Sequence, residues 1–494
     1  MTKRIFLPFL LLCLAFSASA QQPDPKKLDA YYSSAMTGFH QPGMSIGIVK
    51  DGKLEFAKGY GKRTLGKNES VDENTVFQLA SLSKAFTAAA IGMLVDEGKL
   101  KWEDRVTDHL PEFKLYDAYV TREFTVRDLL CHRNGYLTFD GDLLWYGTSY
   151  NRREILKRFS NLAPKHGFRE KYGYSNIMFI AAAVLIEEKT GQSWEQFISS
   201  RIFKPLGMTA SSVDMQTFKA GGNIAAPHVH DTARTYIDYN NAAGAVGVNS
   251  NITDLSKWAM MWLNKGKYGD IQVLKEKTVR DILAAQTPQN VSAKNEENSI
   301  HLRAAACGWM LQDFRGVKMA HHSGGLPGFI LNLALVPEKN MAVIVLTNGE
   351  TLIPFALTNY TIETYITGKS KDWAAEFIAL SQPEPLKPDV KKEPSTVLNA
   401  EELAGTFEDK MYGKATITAA KGKATLLLEP TRQLFTAELE PLNRTSYRIK
   451  FADPFLPEGK VIFNLDADGK PTSFTIDLPN PDFNFFNLKF IRQN

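Results

Sequence analysis

Cysteine is scarce in this sequence, with 3 residues in a chain of 494. So few thiols exclude a small scaffold held together by a network of disulfides. The two cysteines that follow the N-terminal segment, Cys131 and Cys307, both lie in apolar surroundings. The sequence leaves open whether they form a disulfide or stay as two buried free thiols.

A strong excess of charge is also lacking. The formal net charge is +4, and it falls to +2 without residues 1–20, because that segment contains Lys3 and Arg4 and no acid. No basic run with interleaved aromatic residues occurs, so nothing indicates a nucleic acid partner. Beyond residue 20 no apolar run reaches about 18 residues, the length that spans a bilayer. We therefore expect a mature protein that is soluble and has no membrane span.

The N-terminus has the pattern of a secretory signal peptide. A basic start is followed by an apolar run over residues 5–16 and by the small residues Ala18-Ser19-Ala20. This pattern predicts a signal peptide over residues 1–20, cleavage before Gln21 and a periplasmic or extracellular location. Cys13 raises the alternative of a lipoprotein, but it follows three leucines where such a site has a small residue.

The remaining chain divides at a proline-rich segment. Four prolines lie among charged residues between positions 381 and 394. We predict a domain over residues 21–380, a linker over 381–397 and a second domain over 398–494. The second domain alternates in the manner of strands, including residues 472–478 and 485–491, and should be a small all-β barrel or sandwich.

The first domain is predicted to be α+β. Two strands, residues 44–50 and 54–60, flank the hairpin turn Asp51-Gly52, and strands at 305–312, 328–336 and 341–347 come late. A long helical middle separates them, including a helical pattern at residues 125–131. We expect the early hairpin to join the late strands in one antiparallel sheet. The stretch 136–150, rich in aromatic residues, glycine and aspartate, is either a source of substrate selectivity or an ordinary surface loop.

The chemistry centres on Ser81-Leu82-Ser83-Lys84. Residues 82–97 are good helix formers and apolar on nearly every side, which predicts a helix buried in the core with Ser81 at its start. Lys84 follows one turn later on the same face, so the two side chains can touch. A buried lysine loses pKa and can relay the proton of a serine nucleophile. The alternative is an N-cap serine followed by a surface lysine.

A tyrosine and an asparagine stand two residues apart in Tyr174-Ser175-Asn176, in a turn before the apolar helix predicted at residues 176–190. Tyr174 would direct its phenol at the nucleophile, and Asn176 its amide at a substrate carbonyl. Tyr239-Asn240-Asn241 matches the bare pattern equally well. We prefer Tyr174 because its turn adjoins an apolar helix.

A glycine-containing segment, His322-Ser323-Gly324-Gly325, precedes the strand predicted at residues 328–336. Its glycines allow a backbone to approach a substrate closely, and this edge can pair with an extended acyl group. The N–H groups of Ser81 and Gly325 would then form an oxyanion hole. The alternative is a simple turn beside two loop histidines.

One further motif contains two histidines and an aspartate, residue types that can bind a metal. His228-Val229-His230-Asp231 resembles part of a metallo-hydrolase signature, but no Asp-His pair follows at the proper interval. We expect exposed loop histidines there, and no metal or cofactor.

Four segments, in this order, resemble the serine β-lactamase and penicillin-binding-protein-like family in its class C and DD-peptidase branch. They are FQLASLSKAFTAAAIGML, DLLCHRNGY, YSNIMFIAAAVLIEEKTG with IFKPLGM, and HHSGGLPGFILNLALVPEKNMAVIVLTN, within residues 28 to 368. The resemblance implies a β-lactamase/transpeptidase-like antiparallel sheet flanked by a helical subdomain. The predicted C-terminal domain resembles, more weakly, the small β-barrel appendage of some members.

The resemblance also implies roles for the motif residues. Ser81 would be acylated, and Lys84 and Tyr174 would share the general acid and base work. Asn176 would hold the substrate amide. His322-Ser323-Gly324 would bind substrate where the family has Lys-Thr-Gly or His-Thr-Gly. Histidine is a departure from class C β-lactamases, because with an ordinary pKa it is charged in only about a quarter of molecules at pH 7.

The leading hypothesis is a secreted, metal-independent serine hydrolase that acts through an acyl-enzyme. Its substrate would be a small amide, peptide or ester, including a D-amino-acid peptide of the cell wall. One alternative is a β-lactamase. The other is a non-catalytic ligand sensor, which the four residues Ser81, Lys84, Tyr174 and Asn176 argue against, since a retired site need not keep them all.

Overall fold

The structure is a computed structural model that describes residues 23–381 and 397–493. The predicted signal peptide, residues 1–20, and positions 382–396 of the predicted linker lie outside the described residues. Among the helices of the two described ranges, none combines the length and apolar character needed to cross a membrane.

An eight-stranded antiparallel sheet forms the centre of the N-terminal part, residues 23–381. In spatial order its strands are Lys53–Gly61, Gly43–Lys50, Met341–Thr347, Phe329–Val336, Val317–Leu326, Met310–Phe314, Arg303–Ala305 and Thr287–Pro288. The early hairpin pairs with a late strand, with Met44 opposite Thr347. The prediction of one sheet built from both ends of this part is confirmed. Val317–Leu326 is named the cleft strand below.

Helices cover both faces of this sheet. Helices Pro25–Gly38, Ile353–Thr367 and Trp373–Leu380 pack on one face. On the other face Ile252–Leu263 packs on the strands, and Ser83–Asp96 and Asn176–Thr190 belong to the same hydrophobic core. The remaining helices of this part are Ala118–Glu123, Arg152–Phe159, Trp194–Ile198, Lys204–Leu206, Met215–Ala220, Ala243–Val246, Glu276–Ile282 and Ala293–Glu297.

The helix Ser83–Asp96, named the central helix, is buried from Ser83 to Leu94. Its apolar sequence on every side predicts this position, because burial on all faces needs no polar stripe. Three short two-stranded pairs complete this part: Phe77–Gln78 with Asn249–Ser250, His228–Val229 with Thr232–Ala233, and Lys267–Tyr268 with Ile271–Gln272.

Two local predictions are wrong. The strand predicted at residues 305–312 is interrupted, because Gly308 has a left-handed backbone with φ of 71° and turns the chain there. A Cβ on Gly308 would lie 2.7 Å from the carbonyl oxygen of Lys84, so this turn packs directly on the central helix. The helical pattern at residues 125–131 forms only a short 3₁₀ turn, Arg127–Leu130.

Residues 397–493, named the C-terminal barrel, form a nine-stranded antiparallel sheet after the short helix Ala400–Leu403. Its strands, in spatial order, are Thr436–Glu438, Lys423–Leu428, Gly413–Ala420, Gly405–Asp409, Phe490–Arg492, Pro471–Asp477, Gly459–Leu465, Ser446–Ile449 and Glu440–Pro441. The two outermost strands are neighbours in sequence, so the sheet is nearly closed, as the barrel prediction requires.

One strand of the barrel differs from its prediction. Residues 485–491 were expected to form a strand, but Phe485–Asn487 is a 3₁₀ turn and only Phe490–Arg492 pairs with the sheet. The turn carries Asn487 to the N-terminal part, where its side chain bonds Asp140. Two tyrosines also cross this interface: Tyr146 donates to Asp453 Oδ2 and Tyr150 to the carbonyl oxygen of Tyr412, each at 2.7 Å.

Candidate active site

Ser81 lies in a 3₁₀ turn, Ala80–Leu82, that leads directly into the central helix. Its side chain lines a cleft, and 8% of the residue is exposed. The preceding residue, Ala80, has a φ of 50°, a left-handed conformation that costs a residue with a Cβ. Such strain persists where the surroundings enforce it and is common at functional sites.

Lys84 is fully buried and reaches Ser81 as the spacing predicts. Its Nζ donates to Ser81 Oγ at 2.9 Å, to Asn176 Oδ1 at 2.5 Å and to the carbonyl oxygen of Ala245 at 3.1 Å. Burial lowers the pKa of Lys84 from 10.5 to about 7, and the nearby charge of Asp142 opposes that shift. At neutral pH the side chain is therefore neutral in an appreciable fraction of molecules and can accept a proton from Ser81.

Tyr174 faces the same atoms. Its phenol hydrogen-bonds the hydroxyl of Ser81, and Lys84 Nζ lies 4.8 Å from the centre of its ring. Burial raises the pKa of Tyr174 well above 10, although the bond with Ser81 lowers it, so the phenol stays protonated at neutral pH. It can therefore donate a proton where the serine reacts.

His132 supports Tyr174 and had no role in the sequence analysis. Its ring stacks on the Tyr174 ring at 4.3 Å, and its Nδ1 accepts from the backbone N–H of Ser175 at 3.1 Å. Burial lowers the pKa of His132 well below 6.5, and Lys84 adds to that effect, so the ring is neutral. The segment DLLCHRNGY contains it, but a histidine there has no pattern that predicts stacking on a tyrosine 42 positions away.

Asn176 begins the helix Asn176–Thr190 and connects Lys84 to a residue that the sequence analysis missed, Asp142. Asn176 Oδ1 accepts from Lys84, while its Nδ2 donates to Asp142 Oδ2 at 2.6 Å. Asp142 is 3% exposed, and burial raises its pKa to about 7, while bonds from Trp145 and Asn176 and the charge of Lys84 lower it. Lys84 and Asp142, the two ends of this chain of bonds, therefore both have pKa values of about 7.

The alternative triplet Tyr239-Asn240-Asn241 does not face Ser81. The Tyr239 ring packs on Trp145 and Tyr146, and Asn241 Nδ2 donates to the carbonyl oxygens of Trp145 and Tyr150. This triplet therefore packs on and hydrogen-bonds the stretch 136–150. That stretch contributes Asp142 and lines the cleft with Phe139, Trp145 and Tyr146.

His322 to Gly325 lie on the cleft strand next to Ser81. The neighbouring strand Met310–Phe314 pairs only as far as Met310 opposite His321, so within the described residues no strand pairs with this outer edge beyond His321. A Cβ on Gly324 would lie 2.4 Å from the carbonyl oxygen of Leu79, whereas a Cβ on Gly325 would meet nothing within 4 Å. Gly324 therefore permits the close approach between the cleft strand and the Ser81 turn.

His322 is a neutral acceptor. Its Nδ1 donates to the carbonyl oxygen of Ser323 at 2.6 Å, and its Nε2 has no hydrogen-bond partner in the described part of the chain. Burial and then the charge of Lys84 lower its pKa to about 3. Only 2% of His322 is exposed, so a charged ring would lack solvent, and His322 carries less charge at neutral pH than a histidine of ordinary pKa.

The two histidines of His228-Val229-His230-Asp231 differ in their exposure to solvent. His228 is buried, contrary to the expectation of an exposed loop residue: its Nε2 accepts from the N–H of Leu65 at 3.0 Å, and its Nδ1 bonds the carbonyl oxygen of Asn348 at 2.9 Å. His230 is exposed. Across residues 23–381 and 397–493, no three His, Cys, Asp or Glu side chains are grouped to hold a metal. Cys131 and Cys307 are buried free thiols.

Two family models match the chain. One described as Beta-lactamase matches residues 28–364, and one described as Domain of unknown function (DUF3471) matches residues 389–492. The chain is 31% identical to unguisins hydrolase ungD' of Aspergillus campestris, an alignment that covers 63% of this chain and 59% of that protein. It is 27% identical to penicillin-binding protein 4 of Amycolatopsis lactamdurans, over 76% of this chain and 96% of that protein. The chain spans about three fifths of the length of the first curated relatives.

Among solved structures, the octameric penicillin-binding protein homologue from Pyrococcus abyssi has the same fold. The TM-score is 0.61 and the sequence identity 20%, and the match covers 95% of this chain and 100% of that chain. The Beta-lactamase match covers more than half of the sequence. The chain therefore belongs to the beta-lactamase family, the family of serine beta-lactamases and penicillin-binding proteins.

Proposed function

We propose that this protein is a secreted serine hydrolase that forms an acyl-enzyme on Ser81 and cleaves a short peptide or a related small amide. One observation carries the proposal: the buried amine of Lys84 lies 2.9 Å from Ser81 Oγ, and burial brings the pKa of that amine to about 7. A serine hydroxyl is a weak nucleophile unless an adjacent base takes its proton. Lys84 is that base.

In acylation, Ser81 Oγ attacks the substrate carbonyl carbon, and its proton passes to the neutral amine of Lys84. The protonated phenol of Tyr174 then gives a proton to the leaving amine as the carbon–nitrogen bond breaks, and the Lys84 ammonium reprotonates Tyr174. Deacylation repeats these transfers with a water molecule as the nucleophile. Acid and base help of this kind contributes about 10² to 10⁴ in rate.

The N–H groups of Ser81 and Gly325 are the oxyanion donors in this account. Each lies at the cleft, one on the turn that starts the central helix and one on the cleft strand. Loss of one such donor costs about 2.7 to 4 kcal/mol of transition-state stabilisation. Asn176 and the outer edge of the cleft strand would meet the substrate main chain.

The charged residues of the cleft support a substrate whose two ends carry opposite charges. Arg303 lies on the strand next to Met310–Phe314, towards the His321 end of the cleft strand. At the other end, Glu350 accepts from the N–H of Gly328 at 2.9 Å, and its pKa is raised by burial and, to a smaller extent, by the nearby Asp482 of the C-terminal barrel. A short peptide with a free amino group and a free carboxylate matches this arrangement.

A β-lactam substrate is less well supported. Class C β-lactamases usually carry a lysine at the position of His322 to meet the substrate carboxylate, and the neutral His322 supplies no charge at that position. Among the relatives, one is named as a hydrolase of unguisins and another as a penicillin-binding protein, which supports hydrolysis of an amide. The pattern of residues 1–20 supports export.

The test uses the mature chain, residues 21–494, and its Ser81→Ala variant. Short peptides of L- and D-residues, each with a free or an acetylated amino group, are assayed for cleavage. Benzylpenicillin is incubated in parallel, and the intact mass of the protein is followed over time. We expect cleavage of free peptides above acetylated ones, and none by Ser81→Ala.

The other outcomes separate the alternatives. A lasting penicillin adduct that Ser81→Ala lacks, together with peptide cleavage, supports a DD-peptidase-like site. Rapid penicillin turnover without peptide cleavage contradicts the proposed substrate in favour of a β-lactamase. Cleavage of none of these compounds, with no adduct, contradicts the proposal and favours the ligand sensor.

A further inference from the structure

One contact between the C-terminal barrel and the N-terminal part is made at a buried carboxylate near the site, Asp140. This residue is 1% exposed. Its Oδ1 accepts from Asn484 Nδ2 and from Asn487 Nδ2, each at 2.7 Å, and both asparagines belong to the barrel. Asn484 Nδ2 also donates to the carbonyl oxygen of Thr138 at 3.0 Å. The barrel therefore supplies the donors that satisfy one oxygen of a buried carboxylate.

Asp140 lies in the middle of residues 137–142, named the Asp142 loop. Its other oxygen, Oδ2, accepts from the N–H of Leu137 at 2.8 Å, which closes the loop on itself. Phe139 and Gly141 on either side of Asp140 have left-handed backbones, with φ of 66° and 88°. A left-handed phenylalanine is costly and persists only when surrounding contacts enforce it.

The same loop touches the catalytic groups. The N–H of Phe139 donates to the carbonyl oxygen of Tyr174 at 2.9 Å, and its ring meets the Tyr174 ring edge-on at 5.4 Å. Thr138 Oγ1 accepts from the N–H of Tyr174 at 3.2 Å. At the end of the loop, Asp142 accepts from Asn176, which in turn accepts from Lys84. A shift of this loop would therefore move both Tyr174 and Asp142 relative to Lys84.

The barrel also reaches the cleft itself. Phe455 and the segment 480–483 line the cleft that Ser81 lines, and the Phe483 ring lies 4.4 Å from the Tyr146 ring. The asparagines that bond Asp140 follow this segment directly in sequence. The barrel face next to the site is thus continuous from the cleft wall to the Asp142 loop.

We propose that the C-terminal barrel is a positioning element of the active site: Asn484 and Asn487 hold the Asp142 loop through Asp140, and thereby fix Asp142 against Asn176 and Lys84. This inference rests on the proposed function, and it gives the C-terminal barrel a role in positioning the catalytic groups. Asn484, Asn487 and Asp140 act through the loop and are positioning residues, because none of them contacts Ser81.

The test uses the full mature chain with the variants Asn484→Ala/Asn487→Ala and Asn487→Ala alone. The matched control is Tyr150→Phe, which removes a different hydrogen bond across the same interface and leaves the Asp142 loop untouched. Two quantities are measured for each variant: hydrogen exchange of residues 137–142, and the rate at which a fluorophosphonate phosphonylates Ser81, with loss of fluoride, from pH 5 to 9. This rate stands in for that of acylation, because both reactions use the same nucleophile and base.

We expect the Phe139 and Asp142 amides to exchange faster in the double variant. Ser81 should react with the fluorophosphonate roughly ten- to a hundred-fold more slowly, because the groups around it are misplaced. Its pH midpoint for acylation should also fall, because Asp142 moves away from Lys84 and no longer raises the pKa of that amine. Asn487→Ala should show the same changes more weakly, and it keeps the test available if the double variant does not fold. Tyr150→Phe should change neither the exchange nor the midpoint.

Unchanged exchange and an unchanged midpoint in folded asparagine variants would overturn the inference. Equal changes in Tyr150→Phe would overturn it as well, since the barrel would then be a general support. If the wild type takes up no fluorophosphonate, the proposed function fails. The exchange rates still test the positioning in that case, because they need no activity.

Discussion

Lys84 and Asp142 bond the two ends of one carboxamide. Lys84 Nζ donates to Asn176 Oδ1 at 2.5 Å, and Asn176 Nδ2 donates to Asp142 Oδ2 at 2.6 Å. This arrangement fixes the orientation of the Asn176 amide, because its oxygen must face the amine and its nitrogen the carboxylate. The charge of Asp142 therefore acts on the base that faces Ser81.

Replacing Asp142 should move the pH dependence of catalysis. The charge of Asp142 raises the pKa of Lys84, so Asp142→Asn should lower the pH midpoint of the rate at which Ser81 reacts. The rate itself should fall on the order of tenfold, since the amide of Asn176 is held less firmly. Phosphonylation of Ser81 by a fluorophosphonate between pH 5 and 9 measures both. Asp231→Asn, in an exposed turn, is the control, and an unmoved or raised midpoint in Asp142→Asn would contradict the account.

The stability of the same variant relative to wild type should increase as pH rises. Burial raises the pKa of Asp142 from 3.8 to about 7, so the stability it contributes in its protonated form is present below pH 4 and is lost as pH rises through 7. Asp142→Asn lacks this loss. Urea unfolding should show a gain over wild type on the order of 4 kcal/mol at pH 8 and little or none at pH 4. A variant that is less stable than wild type at pH 8 would show that the carboxylate is a net stabilising group.

His322 should not titrate during catalysis. Burial lowers its pKa to about 3, so it is neutral over the range in which Lys84 changes charge. His322→Gln keeps a neutral polar side chain, and its acylation rate should follow pH with the wild-type midpoint, whatever its amplitude. If the variant lost one limb of the wild-type profile between pH 5 and 8, His322 would have to be an ionising group.

Two adjacent glycines of the cleft strand should respond differently to alanine. A Cβ on Gly324 would lie 2.4 Å from the carbonyl oxygen of Leu79, next to the Ser81 turn, whereas a Cβ on Gly325 has open space. Gly324→Ala should lose about 1 to 3 kcal/mol of stability and most of the acylation rate, because the turn must move. Gly325→Ala should fold as wild type does. Thermal unfolding of the pair compares them, and equal stabilities would refute the role given to this close approach.

The motif residues were accessible from the sequence because each belongs to a local pattern. Ser81 and Lys84 are one helical turn apart, and Tyr174 and Asn176 stand at a helix start, so periodicity alone indicates that their side chains can meet a common site. The antiparallel sheet was accessible for the same reason, from hairpin turns and alternating strands. The roles of these residues in catalysis stay predictions.

The missed features depend on contacts between distant segments. Asp142 is buried against Asn176, and Asp140 is satisfied by Asn484 from 344 residues further along the chain. No local period encodes such pairs. The break at Gly308 is similar, because it follows from packing of that turn on the carbonyl of Lys84. The one local signal was Asp140-Gly141-Asp142, in the stretch 136–150 that the sequence assigned either to selectivity or to an ordinary surface loop.

The central claim is tested most directly by locating a covalent adduct. Wild type, Ser81→Ala and Lys84→Met are incubated with a fluorophosphonate at pH 8, and intact mass and peptide mapping follow the label. The account predicts one adduct per wild-type chain on Ser81, none on Ser81→Ala, and labelling of Lys84→Met slowed by about 10² or more, since the general base is gone. Absence of an adduct from wild type, or an adduct that survives in Ser81→Ala, would contradict it.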